Sequence, residues 1–295
     1  MKILSALARG PLLADGGMGT QLQQAGLEPG GCGDLWNLER PAQVQEIHRS
    51  YVDAGARLIT TNTFGANRIV LERYGEAARA AAINQAGAEL ARTASGPSGY
   101  VLGDIGPIGA FIAPLGEYDS PQIHDVFAEQ AAALIAGGAD AIIVETMTAI
   151  EEAVLAVQAA RAAGAALVIA TMAFDRTRVG PRTMMGITPE QAAESLVAAG
   201  AGVVGANCGA SLEPEDFLEI VRRMRRVLPD VPLIAQPNAG LPQVGPTGAT
   251  SYPTDPERFA EMARLLVAEG AAVVGGCCGT TPAHIKAMAQ LLRQG

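Results

Sequence analysis

Residues 139–174 read ADAIIVETMTAIEEAVLAVQAARAAGAALVIATMAF. An apolar run at 139–147 closes on polar residues, a helical stretch at 148–164 closes on a glycine, and a second apolar run follows at 166–174. Neither run alternates polar with apolar, as expected of strands buried on both faces. The same strand–helix punctuation recurs along the chain. Further apolar runs are PLLADG (11–16), ARLITTNT (56–63), YVLGDIG (100–106), AGVVGANC (201–208), VPLIAQPN (231–238) and AAVVGGCC (271–278). Helical segments at 40–55, 120–138, 188–200 and 255–270 lie between them, with Ser, Thr, Asp or Pro near the start and Gly at the end. Eight such units in 295 residues predict a single (β/α)8 barrel, one domain over residues 1–295. Its active site is then expected at the C-terminal ends of the strands. A doubly wound sheet is the runner-up. DGGMGT (15–20) resembles a phosphate loop only superficially, because it lacks the full glycine spacing.

Composition agrees. The chain is 49% hydrophobic and only 4% aromatic, with 35 glycines, which suits small-residue helices packed on a sheet. Its net charge of −9 argues against nucleic acid, which needs clustered basic residues. No stretch is long and apolar enough for a membrane span, and the N-terminus lacks a signal-peptide core, so a cytoplasmic protein is expected. The stretch 240–255, GLPQVGPTGATSYPTD, is read as the loop after the seventh strand, long enough to shape the barrel mouth.

Reading only the strand ends isolates a small set of polar residues. The first strand ends with Asp15 and the second with Thr60, Thr61 and Asn62. The third carries Asp104, the fourth Glu145, the sixth Asn207 and Cys208, the seventh Asn238, and the last Cys277 and Cys278. Three of the four cysteines thus fall on one rim. A lone Cys208 would read as a small packed hydrophobe. Three sulfurs at one point need a cation, and zinc fits, being tetrahedral, redox-inert and borderline-soft. Three ligands leave one position for a substrate, and soft ligands favour a sulfur substrate held as its thiolate. Cys32, in an early loop, is read as a bystander. Asp15 and Glu145 are either paired with an internal cation or recognise a substrate ammonium. The glycine-rich turn after Asp15 offers backbone N–H groups to a carboxylate. His48, His124 and His284 fall on helical segments and are read as packing or surface residues.

Several motifs, in order, carry a family resemblance: DGGMGTQL, TNTFGANR, GDIGP, ETM, NC, PNAG and GGCCGTTPAHI. Over about residues 11–290 the chain resembles the homocysteine S-methyltransferase family, especially the homocysteine-binding barrel of its cobalamin-dependent members. The resemblance implies one zinc per chain on Cys208, Cys277 and Cys278, with homocysteine ligated through sulfur and methionine formed by SN2 methyl transfer. It implies that Asp15 and Glu145 bind the substrate amino group and that the backbone of Met18, Gly19 and Thr20 takes its carboxylate. Asn238 matches an asparagine near the metal, a candidate fourth ligand when substrate is absent. Gly279 stands where users of S-methylmethionine tend to carry arginine, so methylcobalamin on a separate corrinoid protein is the expected donor. S-methylmethionine, S-adenosylmethionine and betaine are the alternatives. A zinc hydrolase would call for histidine at a strand end. A catalytically silent homocysteine- or zinc-binding subunit is the remaining rival.

Overall fold

The computed structural model describes residues 2–245 and 250–293. Eight parallel strands appear where the apolar runs predicted them: β1 Leu12–Leu13, β2 Leu58–Thr60, β3 Tyr100–Ile105, β4 Ala141–Met147, β5 Val168–Met172, β6 Val203–Asn207, β7 Leu233–Gln236 and β8 Ala271–Val274. Each pairs in parallel with its sequence neighbour from β2 to β8, and β8 pairs with β1. A bridge between Ala14 and Leu58, with the Asp15 N–H donating to the Leu58 carbonyl at 3.0 Å, joins β1 to β2. The ring closes into a (β/α)8 barrel.

Outside the ring lie α1 Lys2–Leu7, α2 Met18–Gln24, α3 Pro41–Ala54, α4 Ala80–Ser95, α5 Ser120–Ala136, α6 Ile150–Ala162, α7 Pro189–Ala199, α8 Asp216–Val227, α9 Pro256–Ala268 and α10 Pro282–Leu292, with short helical turns between some of them. Their starts follow local chemistry. Asp119 and Thr188 each accept from the N–H three residues on while that residue's Gln side chain accepts from the cap N–H. Such a cap typically contributes about 1 kcal/mol. By contrast, α6 begins after Ala149, without a side-chain cap. No helix is long and apolar enough to cross a membrane.

Strand periodicity sorts the core into two parts. On β4, Ile142 and Val144 pack outward against the helices, while Ala141 and Ile143 join Leu58, Leu102, Ile169, Val203, Ile234 and Val273 inside the barrel. The N-terminal segment forms α1, whose Ile3 is buried against this inner cluster. Continuing the inward parity toward the C-terminal ends gives Thr60, Asp104, Glu145, Thr171, Asn207 and Gln236. The barrel interior is therefore apolar below and polar above, which puts the chemistry at its C-terminal mouth. The 240–255 loop carries a small hairpin, Gln243–Val244 with Thr250–Ser251; residues 246–249 lie outside the described residues.

Candidate active site

The sulfur atoms of Cys208, Cys277 and Cys278 lie within 4.8 Å of one another, the Cys277 and Cys278 pair at 4.0 Å. Tetrahedral zinc with Zn–S bonds of ~2.3 Å places its sulfurs ~3.8 Å apart, so the triad fits such an ion after a small contraction. The end of β7 acts as the jig. Its Gln236 carbonyl accepts from the Cys208 N–H at 3.1 Å, and the Pro237 carbonyl accepts from the Cys277 N–H at 2.9 Å. Asn238 completes it: its Oδ1 accepts from the Cys278 N–H at 3.0 Å, and its Nδ2 donates to the Gly209 carbonyl at 3.0 Å. The Asn238 amide is thus committed at both ends to the loops that carry the cysteines. It does not line the cavity, which departs from the expectation of a substrate-contacting or metal-ligating asparagine.

The three thiols share charge. Hydrogen bonds from Cys208 and then Cys277 pull the Cys278 thiol down to about 3. Donation to Cys208 and Cys278, with burial, pushes Cys277 well up. Cys208 is favoured as thiolate by Cys277 but ends near 11 because it donates to Cys278 and is buried. Without a cation, only one sulfur of the three carries charge readily. Cys208 also sits at φ 58°, a left-handed conformation that is costly for a residue with a side chain and that clusters at functional sites.

The glycine turn after β1 is stapled to the cysteine turn after β8. The Gly17 N–H donates to Thr280 Oγ1 at 2.9 Å, and the Gly279 N–H donates to Thr20 Oγ1 at 2.9 Å. A Cβ on Gly17 would sit 2.7 Å from the Cys277 carbonyl oxygen, so only glycine allows this approach. The turn leads into α2, whose first N–H groups, at Met18, Gly19 and Thr20, have no acceptor within the helix.

A cavity of about 660 Å³ joins these parts, lined by Asp15, Met18, Gly19, Thr20, Asp104, Glu145 and the three cysteines among others. Of the polar strand-end residues singled out in the sequence, all but Asn207 and Asn238 line it. Asp15 accepts from the Thr60 N–H at 2.8 Å and the Thr60 hydroxyl at 2.9 Å, yet burial still raises it to about 7. Glu145, partly open to the cavity, is raised to about 8 by burial and then by the charges of Asp15 and Cys208. Asp104 is pushed well up by burial and by Glu145. Among the described residues no Lys or Arg pairs with any of them, so the internal-cation reading of Asp15 and Glu145 fails. Buried acids without cations, beside a thiol cluster, suit a ligand carrying both an ammonium and a sulfur.

A sequence profile described as homocysteine S-methyltransferase matches residues 12–292. The chain belongs to the homocysteine S-methyltransferase family. The methionine synthases of Mycobacterium tuberculosis (strain ATCC 25618 / H37Rv) and Mycobacterium leprae (strain TN) are 36% and 35% identical to it over 304 aligned positions, covering 97% of this chain and 25% of theirs. The chain spans about a quarter of the length of these relatives. Among solved structures, the homocysteine methyltransferase MmuM from Escherichia coli in its metallated form superposes with a TM-score of 0.77 at 23% identity, covering 95% of this chain and 96% of that one. At that identity the likeness is one of fold.

Within this member of the homocysteine S-methyltransferase family, several site residues carry more weight than their sequence positions suggested. Asn207, fully buried, accepts from the Thr146 N–H at 2.8 Å and the Thr171 hydroxyl at 2.7 Å, and donates to Thr146 Oγ1 at 2.7 Å. Its amide also lies 3.9 Å from the Cys277 sulfur. Thr146, next to Glu145, is the second non-glycine residue at positive φ, 62°. Tyr252, from the loop after β7, lies over Gly279 beside the cysteine turn and lines the cavity. Asn207 was visible as a polar strand end but without a role, and nothing local marked Tyr252. Cys32, read as a bystander, lines the cavity wall with its thiol 3.8 Å from Asp34 Oδ2. His48 is buried in the core and His284 caps α10, as packing residues.

Proposed function

We propose that this chain is a homocysteine S-methyltransferase that forms methionine beside a zinc site built from Cys208, Cys277 and Cys278. The convergence of three sulfurs within 4.8 Å, in the same cavity as unpaired buried carboxyls, carries the reading. A zinc ion at the triad would supply the positive charge that keeps the substrate thiol ionised at neutral pH. Asp15 and Glu145 take the substrate ammonium. The free N–H groups of Met18, Gly19 and Thr20 take its carboxylate at the start of α2. Gripping both ends of the amino acid fixes its sulfur toward the cysteine rim, so that attack on a methyl group becomes a matter of position rather than encounter. A sulfur lone pair forms the new S–CH3 bond as the methyl–donor bond breaks, and that electron pair leaves with the donor.

Methylcobalamin presented by a corrinoid-binding protein or module is the proposed donor. Gly279 after the cysteine pair supports this, as do exposed apolar side chains on the same rim. Phe64, Phe111, Leu115 and Met184 stand in the loops after β2, β3 and β5, a surface suited to a macromolecular partner. The test is methionine formation from homocysteine with methylcobalamin, S-methylmethionine, S-adenosylmethionine and betaine in turn, with zinc measured before and after chelation. A protein that forms methionine with none of them, or keeps full activity without metal, defeats the proposal.

A further inference from the structure

The carboxyl groups at the cavity are not equivalent. Asp15 is held by two hydrogen bonds from Thr60, and Asp34 accepts from the Gly65 N–H at 3.0 Å. Among the described residues, the side chains of Asp104 and Glu145 accept no hydrogen bond. Asp104 is the sharper case: it is 4% exposed, lines the cavity, and its Oδ1 is buried with no partner. Its backbone, by contrast, is pinned on both sides. The Asp104 N–H donates to Thr61 Oγ1 at 2.9 Å, while its carbonyl accepts from Thr63 Oγ1 at 2.8 Å and Gln130 Nε2 at 3.3 Å. Gln130 is itself anchored on the Thr63 carbonyl at 2.8 Å. This network holds the Asp104 side chain at its inward position on β3 and leaves it no protein donor to turn to. A buried polar atom without a partner is costly and calls for an explanation. A fixed carboxyl that lines a ligand cavity and has no protein donor is placed to find one on the ligand.

We infer that Asp104 is a third substrate-binding carboxylate, accepting a hydrogen bond from the homocysteine ammonium alongside Glu145 and Asp15. This rests on the homocysteine reading above. An ammonium on a single carbon has three N–H donors, and three converging acceptors claim all of them. Asp104, Glu145 and Asp15 line the same cavity, and the charges of Glu145, then Asp34, then Asp15 are felt at Asp104. The site then selects a primary amine, because any substituent on nitrogen removes a donor that has a dedicated partner.

The experiment compares homocysteine with 4-mercaptobutanoate, which keeps the thiol and carboxylate but lacks the amine, by calorimetric titration of the zinc-loaded protein and its Asp104→Asn variant. Loss of one charge-assisted hydrogen bond should weaken homocysteine binding about 10- to 100-fold. The amine-free analogue should bind the variant as well as, or better than, the unaltered protein. Equal weakening of both ligands, or of neither, overturns the inference. A second measurement needs no variant: N-methylhomocysteine should bind the unaltered protein at least tenfold more weakly than homocysteine, and equal affinity also overturns it. If the unaltered protein binds no homocysteine at all, the proposed function itself has failed, and that outcome is separate.

Discussion

Replacing Asn207 with alanine tests the most heavily connected side chain at the site. Asn207→Ala strips a partner from the Thr146 N–H, the Thr146 hydroxyl and the Thr171 hydroxyl, all in one buried spot. The two hydroxyls can rotate toward other acceptors and lose little. The Thr146 N–H cannot, because its backbone is fixed at φ 62°. One full desolvation penalty of ~2 kcal/mol and two partial losses of ~0.5–1 kcal/mol give a destabilisation of about 3–4 kcal/mol. At ~2 °C per kcal/mol for a chain of this size, the melting temperature should fall by about 6–8 °C. Relaxation of Thr146 would also move its neighbour Glu145, raising the KM for homocysteine. The assay is thermal and urea unfolding at matched zinc content, with steady-state kinetics alongside. Asn207→Asp is the informative companion, since it keeps both acceptor bonds and loses only the donations. An Asn207→Ala protein that melts within 2 °C of the original (about 1 kcal/mol) with unchanged KM would refute the assignment of Asn207 as the post that holds Thr146 and Glu145.

Cys277→Ala or Cys278→Ala should lower bound zinc well below one per chain and abolish methyl transfer, read by metal analysis and methionine formation; full zinc with full activity would count against the triad. Gly279→Ala forces a Cβ to within 2.2 Å of the Tyr252 ring at φ 79°, so Tyr252 should be displaced from its place over the cysteine turn and stability should drop by at least ~1 kcal/mol, visible in tyrosine fluorescence and in melting. Binding of an ammonium favours ionised carboxylates, so the KM for homocysteine should fall as pH rises from about 6 to 8.5 through the values of Asp15, about 7, and Glu145, about 8. Stability of the ligand-free protein should move the other way. Both acids are raised on folding, from 3.8 and 4.5, so between about pH 4 and 8 the native state holds more protons than the unfolded chain and stability declines as pH rises. Chemical denaturation at pH 5 and pH 8 checks the sign, and greater stability at pH 8 would contradict it.

What the sequence disclosed and what it withheld follow from the range of the forces involved. Parallel strands buried on both faces leave continuous apolar runs, so all eight barrel strands were legible, and with them the rim on which Cys208, Cys277 and Cys278 meet. That same continuity hides the inside–outside alternation. Thr171 looked like an ordinary strand residue, and Asn207 was only a polar strand end, until the barrel closed and set both in its polar upper layer. The two-residue strands Gln243–Val244 and Thr250–Ser251 and the six-residue α1 are too short to write a periodic pattern, and α1 is held by the burial of Ile3 and Ala6 rather than by propensity. Asn238 shows a different gap. An amide that ligates a metal and an amide that clamps two loops have the same chemistry, and only the positions of Gly209 and the Cys278 N–H decide between them. Asp104 was visible as a strand-end acid, but its significance lies in donors that the fold does not provide. Such an absence cannot be written in a sequence. It arises because Thr61, Thr63 and Gln130 consume the backbone of Asp104 and leave its carboxyl facing the cavity, so the clearest mark of a ligand site here is an acceptor the protein has fixed in place and left without a partner.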